Sequence, residues 1–224
     1  MVSEIKIAPS ILSADFGILR EQVIEAQEGG ADYIHIDLMD GQFVSNLTMG
    51  PLIVDAVRKS TDLPLDVHMM VLEPSRYINE LVGIGADILT VHIESTKHIH
   101  KTILDIKNSG IKAGLAINPG TSEELIRELL DQIDLVLVMT VNPGYSGQEF
   151  IESTLPKIKN IRRMLDHFSK YLSEAELEVD GGINVDTVRQ VVEAGADVIV
   201  AGSAVYNQHY TVAQNIKNIR ERIS

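Results

Sequence analysis

The chain has 224 residues, 45 % of them hydrophobic but only 4 % aromatic and none Trp, so aliphatic side chains must fill the core of what we expect to be one large domain. Its 19 Lys and Arg against 32 Asp and Glu give a net charge of −13, which would repel nucleic acid and anionic lipid and excludes both as expected partners. The absence of Cys excludes a disulfide framework, a zinc-thiolate site and a cysteine nucleophile.

Strand and helix patterns alternate along the whole chain. The opening segment, MVSEIKIAPSIL, lacks the basic and apolar regions of a secretory signal, and no apolar run approaches the roughly 18 residues of a membrane span, so we expect a soluble, cytoplasmic protein. Short β-branched runs predict strands at 5–11, 33–38, 64–70, 87–92, 111–117, 134–141, 175–180 and 197–201. Helical periodicity predicts helices at 17–28, 51–59, 75–83, 97–108, 121–131, 153–169, 185–194 and 211–222.

Three helix-to-strand junctions share the sequence Gly-Ala-Asp, at 30–32, 85–87 and 195–197. Glycine suits the residue just past a helix end, and reuse of one turn indicates repeated helix–strand units. Eight such units without a linker predict an α/β fold, a closed (β/α)8 TIM barrel forming a single domain over residues 1–224. The alternative is an open doubly wound sheet, but that fold more often opens on a dominant phosphate loop, and the chain has neither a GxGxxG nor a P-loop sequence.

A candidate metal site begins in the second predicted strand, within YIHIDLMDG. Residues two apart on a strand face the same side, so His35 and Asp37 present an imidazole and a carboxylate together. His68 and Asp180 stand near the ends of the third and seventh strands, and the C-terminal strand ends of a barrel meet at its active-site mouth. This nitrogen and oxygen ligand set suits one divalent metal ion, Zn, Fe, Mn or Co, better than Mg or Ca.

The two aspartates also suit acid–base chemistry. A carboxylate can bind a metal through one oxygen and move a proton with the other, and Asp37 and Asp180 belong to strands that can face each other across a substrate. The competing interpretation of Asp180 is a turn former, because VDGG is also a good turn sequence. Met39, Met70 and Met139 should line the same mouth, either as an apolar wall around a reacting carbon or as ordinary core filling.

Phosphate binding is predicted at three glycine-containing loops late in the chain, 142–148, 180–182 and 201–203. Glycine lets backbone N–H groups approach an anion closely, and barrels often bind phosphate after their last strands. The stretches 144–147, 181–182 and 202–203 contain no Lys or Arg, so backbone amides are expected to hold the phosphate. A side chain at Gly182 is expected to occupy space that the phosphate needs.

The remaining histidines receive no catalytic role. His92 ends the fourth predicted strand, but we identify no carboxylate partner in register and assign it a supporting or structural role. His98, His100, His167 and His209 fall on predicted helices or near the end of the chain and are expected to be solvated.

Six segments, IAPSIL, HIDLMDGQFV, DVHMMV, MTVNPGYSGQ, EVDGGI and AGSAVY, occur in the order and spacing typical of ribulose-5-phosphate 3-epimerases. The chain resembles that family over essentially its whole length. The resemblance implies a metal-dependent (β/α)8 barrel that interconverts D-ribulose 5-phosphate and D-xylulose 5-phosphate by two-base proton transfer at C3 through a cis-enediolate. A small sugar phosphate is the expected ligand, and a homo-oligomer is the expected assembly.

Carried over by motif, the resemblance assigns a role to individual residues. The metal ligands would be His35, Asp37, His68 and Asp180. Asp37 would accept the proton, and Asp180 would donate one on the opposite face. The substrate-binding set would be Ser10, His68, Met39, Met70, Met139, Gly144, Tyr145, Ser146, Gly147, Gly181, Gly182, Gly202 and Ser203.

The chain departs from the family pattern in two loops. Family members usually read MDGHFVPN and PGFGGQ where this chain has MDGQFVSN and PGYSGQ, so Gln42, Ser45, Tyr145 and Ser146 are atypical. None of these replaces a ligand or an acid–base group. The chemistry is expected to be intact, while substrate fit and loop mobility are open.

Three other functions compete with this interpretation. Epimerisation of D-allulose 6-phosphate would use the same apparatus with one more carbon, and the PGYSGQ departure keeps it open. A decarboxylase of the orotidine-monophosphate type needs Asp-x-Lys-x-x-Asp at a strand end, where this chain has Met39 and Gln42 in place of the Lys and the second Asp. A non-catalytic sugar-phosphate-binding barrel is disfavoured because both aspartates are present.

Overall fold

The computed structural model describes residues 5–168 and 175–223. The strands are β1 (Lys6–Pro9), β2 (Ile34–Met39), β3 (Leu65–Met70), β4 (Ile88–His92), β5 (Lys112–Ile117), β6 (Leu135–Met139), β7 (Glu176–Asp180) and β8 (Val198–Ala201). The α-helices are α1 (Leu19–Glu28), α2 (Pro51–Arg58), α3 (Ile78–Ile84), α4 (Ile99–Asn108), α5 (Leu155–Phe168), α6 (Val188–Glu193) and α7 (Val212–Ile223). Short 3-10 helices lie at Ile11–Ser13, Phe16–Ile18, Pro74–Arg76, Glu123–Leu129 and Glu152–Thr154. None of the helices in these residues has the length and apolar character needed to cross a bilayer.

The eight strands form one parallel sheet in the order β1-β8-β7-β6-β5-β4-β3-β2. Beyond the end of β1, a parallel bridge between Ser10 and His35 connects the two ends of this sheet. The backbone N–H of Asp32 also donates to the carbonyl of Ile7 at 2.9 Å. The strands therefore surround one interior in a nearly closed barrel, which confirms the predicted TIM barrel. An open doubly wound sheet would leave its two edges apart.

The barrel interior is divided into an apolar and a polar part. Strands β2 and β3 are buried at every position, because helices cover their outer face and the barrel fills their inner face. The apolar part of the interior consists of Ala8, Tyr33, Ile88, Ala116, Leu135, Leu137, Met139, Val141, Val198 and Val200. The polar part comes from β2, β3, β4 and β7, and its buried members are His35, Asp37, Asp66, His68, Thr90, His92 and Glu178.

The three Gly-Ala-Asp junctions contain one repeated device. Their glycines have φ values of 87°, 106° and 109°, as expected just past a helix end. The aspartate of each junction accepts a hydrogen bond from a backbone N–H of the preceding strand and from an arginine of a helix. These groups are Asp32 with Ile7 and Arg220, Asp87 with Leu65 and Arg58, and Asp197 with Leu177 and Arg162. The repeat therefore fixes neighbouring strands relative to each other.

One predicted helix has a different form. The segment predicted as an α-helix at 121–131 contains a 3-10 helix at Glu123–Leu129, begun by Ser122, whose side chain caps the N–H of Glu124. Residues three apart lie on one face of a 3-10 helix, and Ile126 and Leu129 are both buried there. The 3-10 helix therefore buries this apolar pair on one of its faces.

Other boundaries differ by one to three residues. Helices α1, α3 and α5 begin later than predicted, because a 3-10 turn precedes each of them. Strand β1 ends at Pro9 rather than at 11, because the first 3-10 helix starts at Ile11. Position 169 of the predicted helix 153–169 lies outside the described residues.

Candidate metal centre

The four predicted ligands converge at the C-terminal end of the barrel. Asp37 and His68 are register partners on β2 and β3, and His35 lies two residues before Asp37 on the same face. The Nε2 atom of His35 lies 3.3 Å from Asp37 Oδ1 and 4.0 Å from Asp180 Oδ2. The Nδ1 atom of His68 lies 3.0 Å from Asp37 Oδ1 and 3.7 Å from Asp180 Oδ2. One donor atom of each residue therefore lies within 4.8 Å of the other three.

These separations fit a single ion. Ligands about 2.1 Å from a metal lie about 3.0 Å apart as octahedral neighbours and about 3.4 Å apart in a tetrahedron. The Nε2 atom of His35 is buried and has no hydrogen-bond partner among the described residues, although buried polar atoms normally have one. It points at two carboxylates that could share a cation with it. Two imidazoles and two carboxylates therefore fit a divalent ion of the first transition row.

A third carboxylate orients His35. The Nδ1 atom of His35 donates to Asp66 Oδ2 at 2.6 Å, and these two residues are register partners on β2 and β3. A carboxylate on Nδ1 leaves the lone pair of Nε2 directed at the metal position. Asp66 is absent from the sequence-based candidates, although it lies two residues before His68 and the same two-residue rule would have found it.

The carboxylates of the cluster favour a positive charge on His35. Burial opposes the charged form of His35, but the charges of Asp37 and Asp66 outweigh it and raise the pKa of His35 well above its ordinary value. A fourth acid, Glu178, is fully buried nearby, with its Oε1 atom 3.8 Å from His35 Nδ1. Burial and then the charge of Asp66 raise the pKa of Glu178 well above its usual range, so its neutral form is favoured.

The two aspartates differ strongly in proton affinity. Burial alone would raise the pKa of Asp37, but the charge of the neighbouring His35 and the hydrogen bond of His68 hold that pKa well below its usual range. Ser10 Oγ also donates to Asp37 Oδ2 at 2.6 Å. Burial and then the charge of Asp37 raise the pKa of Asp180 to about 7. Two carboxylates whose pKa values are pushed apart are suited to act as base and acid.

The prediction that His92 lacks a carboxylate partner is wrong. Its Nδ1 atom lies 3.1 Å from Oε2 of Glu94, two residues on, and its Nε2 atom lies 2.8 Å from His68 Nε2. The side chain of Glu94 turns back towards the ring from beyond the end of β4, which the strand register alone does not indicate. Burial, and then the neighbouring His68, lower the pKa of His92 to about 4, although Glu94 opposes this. His92 therefore has the supporting position that was predicted for it, with a partner that was missed.

A cleft with about 530 Å³ of empty space opens above the cluster. Its lining includes most of the predicted site: Ser10, Asp37, Met39, Met70, Met139, Gly144, Tyr145, Ser146, Gly147, Asp180, Gly181, Gly182, Gly202 and Ser203. His35 and His68 lie behind this lining and are fully buried, so the predicted substrate contact of His68 is not seen in the cleft wall. Leu12, Ser13, Val141, Pro143, Gln148, Ile183 and Val200 line the cleft without having been predicted.

The glycine loops form one wall of the cleft. Gly144, Gly147, Gly181 and Gly182 all have positive φ values, between 68° and 137°. The Asn46 side chain donates to the Gly144 carbonyl at 2.7 Å and so connects the loop after β2 with the loop after β6. No Lys or Arg occurs among the described residues of the lining. An anion in this wall would therefore meet backbone groups and hydroxyls.

The expectation that a side chain at Gly182 would enter the space for the phosphate is wrong, because such a side chain would point away from the cleft. A Cβ atom there would lie 2.5 Å from Phe150 N and 2.7 Å from Phe150 Cα. Such a side chain would collide with the backbone beneath the loop before it reached the cleft. A substitution at Gly182 therefore tests the loop conformation, and a different residue is needed to test phosphate binding.

The three predicted methionines lie at the ends of their strands. Met39 and Met70 are register partners at the ends of β2 and β3, and Met139 pairs in register with Asp180. All three are at most 2 % exposed and their side chains line the cleft.

The four histidines predicted to be solvated, His98, His100, His167 and His209, are exposed.

The comparisons of sequence with known proteins agree on one family. The sequence model of the ribulose-phosphate 3 epimerase family matches residues 6–206. A protein of Bacillus subtilis (strain 168) named ribulose-phosphate 3-epimerase is 57 % identical over 204 residues, 91 % of this chain and 93 % of that protein. The chloroplastic ribulose-5-phosphate-3-epimerase of Arabidopsis thaliana is 49 % identical over 220 residues, 97 % of this chain and 77 % of that protein.

A solved structure shows the same fold at low sequence identity. A mutant tryptophan synthase alpha-subunit from the hyperthermophile Pyrococcus furiosus has a TM-score of 0.70 at 14 % identity, with 100 % of this chain and 99 % of that chain covered. This likeness concerns the barrel alone. Since the family match spans nearly the whole barrel and the named relatives share about half of their residues with it, the chain belongs to the ribulose-phosphate 3-epimerase family.

Proposed function

We propose that the chain is a metal-dependent epimerase that interconverts D-ribulose 5-phosphate and D-xylulose 5-phosphate by two-base proton transfer at C3. One observation carries the proposal: Asp37 and Asp180 face the same cleft from β2 and β7, and their proton affinities are pushed apart. The family match and the names of the relatives support the choice of substrate.

His35, Asp37, His68 and Asp180 would hold the ion, for which we propose Zn, Fe, Mn or Co. When bound, a divalent ion supplies Lewis-acid stabilisation of the negative charge that develops on the substrate oxygens. The buried histidines keep water away from the inner side of the site. Asp66 holds the His35 ring in the orientation that directs Nε2 to the centre.

The aspartates would move the proton. Asp37, with its low pKa, is ionised and can accept the proton from C3, while Asp180, with a pKa of about 7, can carry the proton that is returned on the other face. In the reverse direction the two residues exchange roles. Ser10, which donates to Asp37 at 2.6 Å, would keep that carboxylate in place and would contact the sugar.

The glycine loops would hold the phosphate away from the reacting carbon. Residues 144–147, 181–182 and 202–203 line one cleft with the aspartates, and their backbone amides would bind the phosphate. Binding energy from such a remote group would position C3 between the two bases. The side chains of Met39, Met70 and Met139 would surround the planar enediolate and limit its contact with water.

We also propose that the chain forms a homo-oligomer. Leu47 and Leu52, on the loop after β2 and at the start of α2, are 78 % and 85 % exposed, which is a large exposure for two neighbouring apolar side chains. Sedimentation analysis measures the assembly directly, and a monomer at micromolar concentration would contradict this part of the proposal. A cytoplasmic location stays a prediction.

The deciding experiment compares two substrates in buffered deuterium oxide. Purified protein should exchange the C3 hydrogen of ribulose 5-phosphate and form xylulose 5-phosphate, with a higher kcat/KM than for allulose 6-phosphate. A preference for the six-carbon substrate would assign the chain to the alternative epimerase. Absence of exchange with both substrates in metal-loaded protein would favour a non-catalytic sugar-phosphate-binding barrel.

A further inference from the structure

A chain of hydrogen-bonding groups connects the metal centre with the outside of the barrel. The Nε2 atoms of His68 and His92 are 2.8 Å apart, and His92 Nδ1 lies 3.1 Å from Glu94 Oε2. Both histidines are fully buried, whereas a quarter of the Glu94 side chain is exposed. This series of hydrogen-bonding groups therefore ends on the Glu94 carboxylate, which solvent can reach and which is not part of the metal-binding cluster.

The surroundings of Glu94 determine which of its atoms are acceptors. Its Oε1 atom accepts a hydrogen bond from the Asn118 backbone N–H at 3.0 Å and another from the Thr121 hydroxyl. The loop that supplies these donors is held by Lys157 Nζ, which donates to the carbonyl groups of Asn118, Pro119 and Thr121 at 2.8, 2.7 and 2.6 Å. Glu94 is thus an ionised carboxylate whose remaining oxygen, Oε2, requires a donor.

That requirement determines the position of each proton along the chain. Because a carboxylate oxygen can only accept, His92 Nδ1 must carry a hydrogen, and in a neutral ring its Nε2 then has the lone pair. The short contact between the two Nε2 atoms requires one donor and one acceptor, so His68 Nε2 carries the hydrogen. The Nδ1 atom of His68 faces Asp37 and Asp180 and lies 3.0 Å from Asp37 Oδ1, so in the metal-free protein a hydrogen on this atom would serve that carboxylate. With an ion bound, Nδ1 gives its lone pair to the ion, and the hydrogen of the ring must then be on Nε2.

The reverse arrangement has a specific defect. If His92 donated through Nε2, its Nδ1 lone pair would face the Glu94 carboxylate at 3.1 Å, and His68 would carry its hydrogen on the atom that faces the cluster. The first fault is repulsive, and the second would block a metal ligand.

We propose that Glu94 is a positioning residue of the metal centre, which acts through His92 to keep His68 in the tautomer whose Nδ1 is free to bind a divalent cation. The inference rests on the proposed metal site and adds two residues to it. Glu94 contacts neither the cleft nor the cluster, so its effect is on the proton arrangement of His68.

Glu94→Gln changes the charge and the hydrogen-bonding groups of the side chain but keeps its shape. The glutamine oxygen should face the two donors Asn118 N–H and Thr121 Oγ1, which directs its NH2 group at His92 Nδ1 and reverses the tautomers of both histidines. Removing an outer partner of a ligand typically weakens metal binding about 10- to 100-fold. The matched control is Glu123→Gln, at the start of the 3-10 helix Glu123–Leu129, where the glutamate accepts from Asn160 and does not contact the two histidines.

Two measurements test the proposal. Competition titration of the metal-free proteins with Zn²⁺ should give a Kd raised at least tenfold for Glu94→Gln and within twofold of wild type for Glu123→Gln. Imidazole nitrogen shifts of the Zn²⁺-loaded wild type, from long-range ¹H–¹⁵N spectra, should show His92 protonated on Nδ1 and His68 on Nε2, and the metal-free variant should show His92 protonated on Nε2 and His68 on Nδ1.

The outcomes separate this inference from the proposed function. If the wild type binds Zn²⁺ and Glu94→Gln binds it equally well, or if His92 of the Zn²⁺-loaded wild type carries its hydrogen on Nε2, the positioning role is overturned and the metal site stands. If the wild type binds none of the four candidate ions, the metal site is overturned and the positioning role with it. The circular dichroism spectrum of each variant checks that the barrel is intact.

Discussion

Replacing one base at a time should uncouple hydrogen exchange from epimerisation. In Asp180→Asn, Asp37 is retained together with its contacts to Ser10 and both histidines. It can still remove the C3 hydrogen from the epimer whose hydrogen faces it and return a deuterium to that same face. Asp37→Asn should do the same with the other epimer, because Asp180 serves the opposite face.

The size of the effect follows from the proton positions. Burial and the charge of Asp37 raise the pKa of Asp180 to about 7, so this carboxyl can hold a transferable proton near neutral pH, whereas an amide holds none. The loss of one acid–base group costs about 10²- to 10⁴-fold in turnover, which corresponds to about 2.7 to 5.4 kcal/mol in the barrier. Exchange of the one permitted epimer should fall by less than tenfold, since its base is untouched.

Proton NMR in deuterium oxide measures both processes in one sample. Each variant is incubated separately with ribulose 5-phosphate and with xylulose 5-phosphate, and the C3 signal and the appearance of the other epimer are followed. Because each aspartate is also a predicted metal ligand, metal content is determined on the same samples. The asparagine oxygen replaces one carboxylate oxygen as a ligand, so we expect retained but weaker metal binding.

The pattern across the two variants decides the question. Exchange of opposite epimers by the two variants is the expected result. If both variants exchange the same epimer, a single base serves both faces and the two-base assignment is refuted. Near-normal epimerisation by either variant would also refute it.

Three further predictions concern the metal, the phosphate and the barrel interior. Chelation should abolish epimerisation, and any of Zn, Fe, Mn or Co should restore it; full activity in metal-free protein would contradict this prediction. Metal affinity should rise with pH, because the raised pKa of His35 makes protons compete with the ion for this ligand. Ser203→Asp adds a negative charge to the cleft lining and should raise KM at least tenfold, whereas Gln208→Glu, in the same loop but outside the lining, should change it less than twofold. Gly114→Ala places a Cβ 2.2 Å from Thr90 Oγ1 inside the barrel and should lower the free energy of unfolding by about 1–3 kcal/mol. Gly83→Ala, near the end of α3 with open space around it, should raise the free energy of unfolding by up to about 1 kcal/mol. Thermal melts of the two variants should show shifts of Tm in opposite directions.

The fold could be predicted because its signals are local. Strand alternation, helical periodicity and the glycine after a helix each depend on residues only a few positions apart, and eight repeats of them are compatible with few architectures. The segment at 121–131 is where this failed, since two apolar residues three apart suit both a 3-10 and an α-helix. The end of a strand such as β1 was also missed by two residues for a local reason, the early start of a 3-10 turn at Ile11.

The site was predicted where its residues follow a two-residue spacing on one strand. His35 and Asp37 follow it, and the same rule would have found Asp66 beside His68. It could not find the contact of His92 with Glu94, because Glu94 lies beyond β4 and its side chain returns to the ring under the influence of a loop that Lys157 holds.

By itself, the sequence determined which strand ends bear imidazoles, carboxylates and thioethers, because side chains two apart on a strand share a face in any sheet. The tertiary structure decided what these groups contact. The nearly closed barrel brings Asp180 of β7 within 4.0 Å of a histidine on β2, and it packs the backbone of Phe150 under Gly182 so that a side chain there would miss the cleft. Such contacts depend on the register and closure of strands far apart in the chain, and no local pattern specifies either.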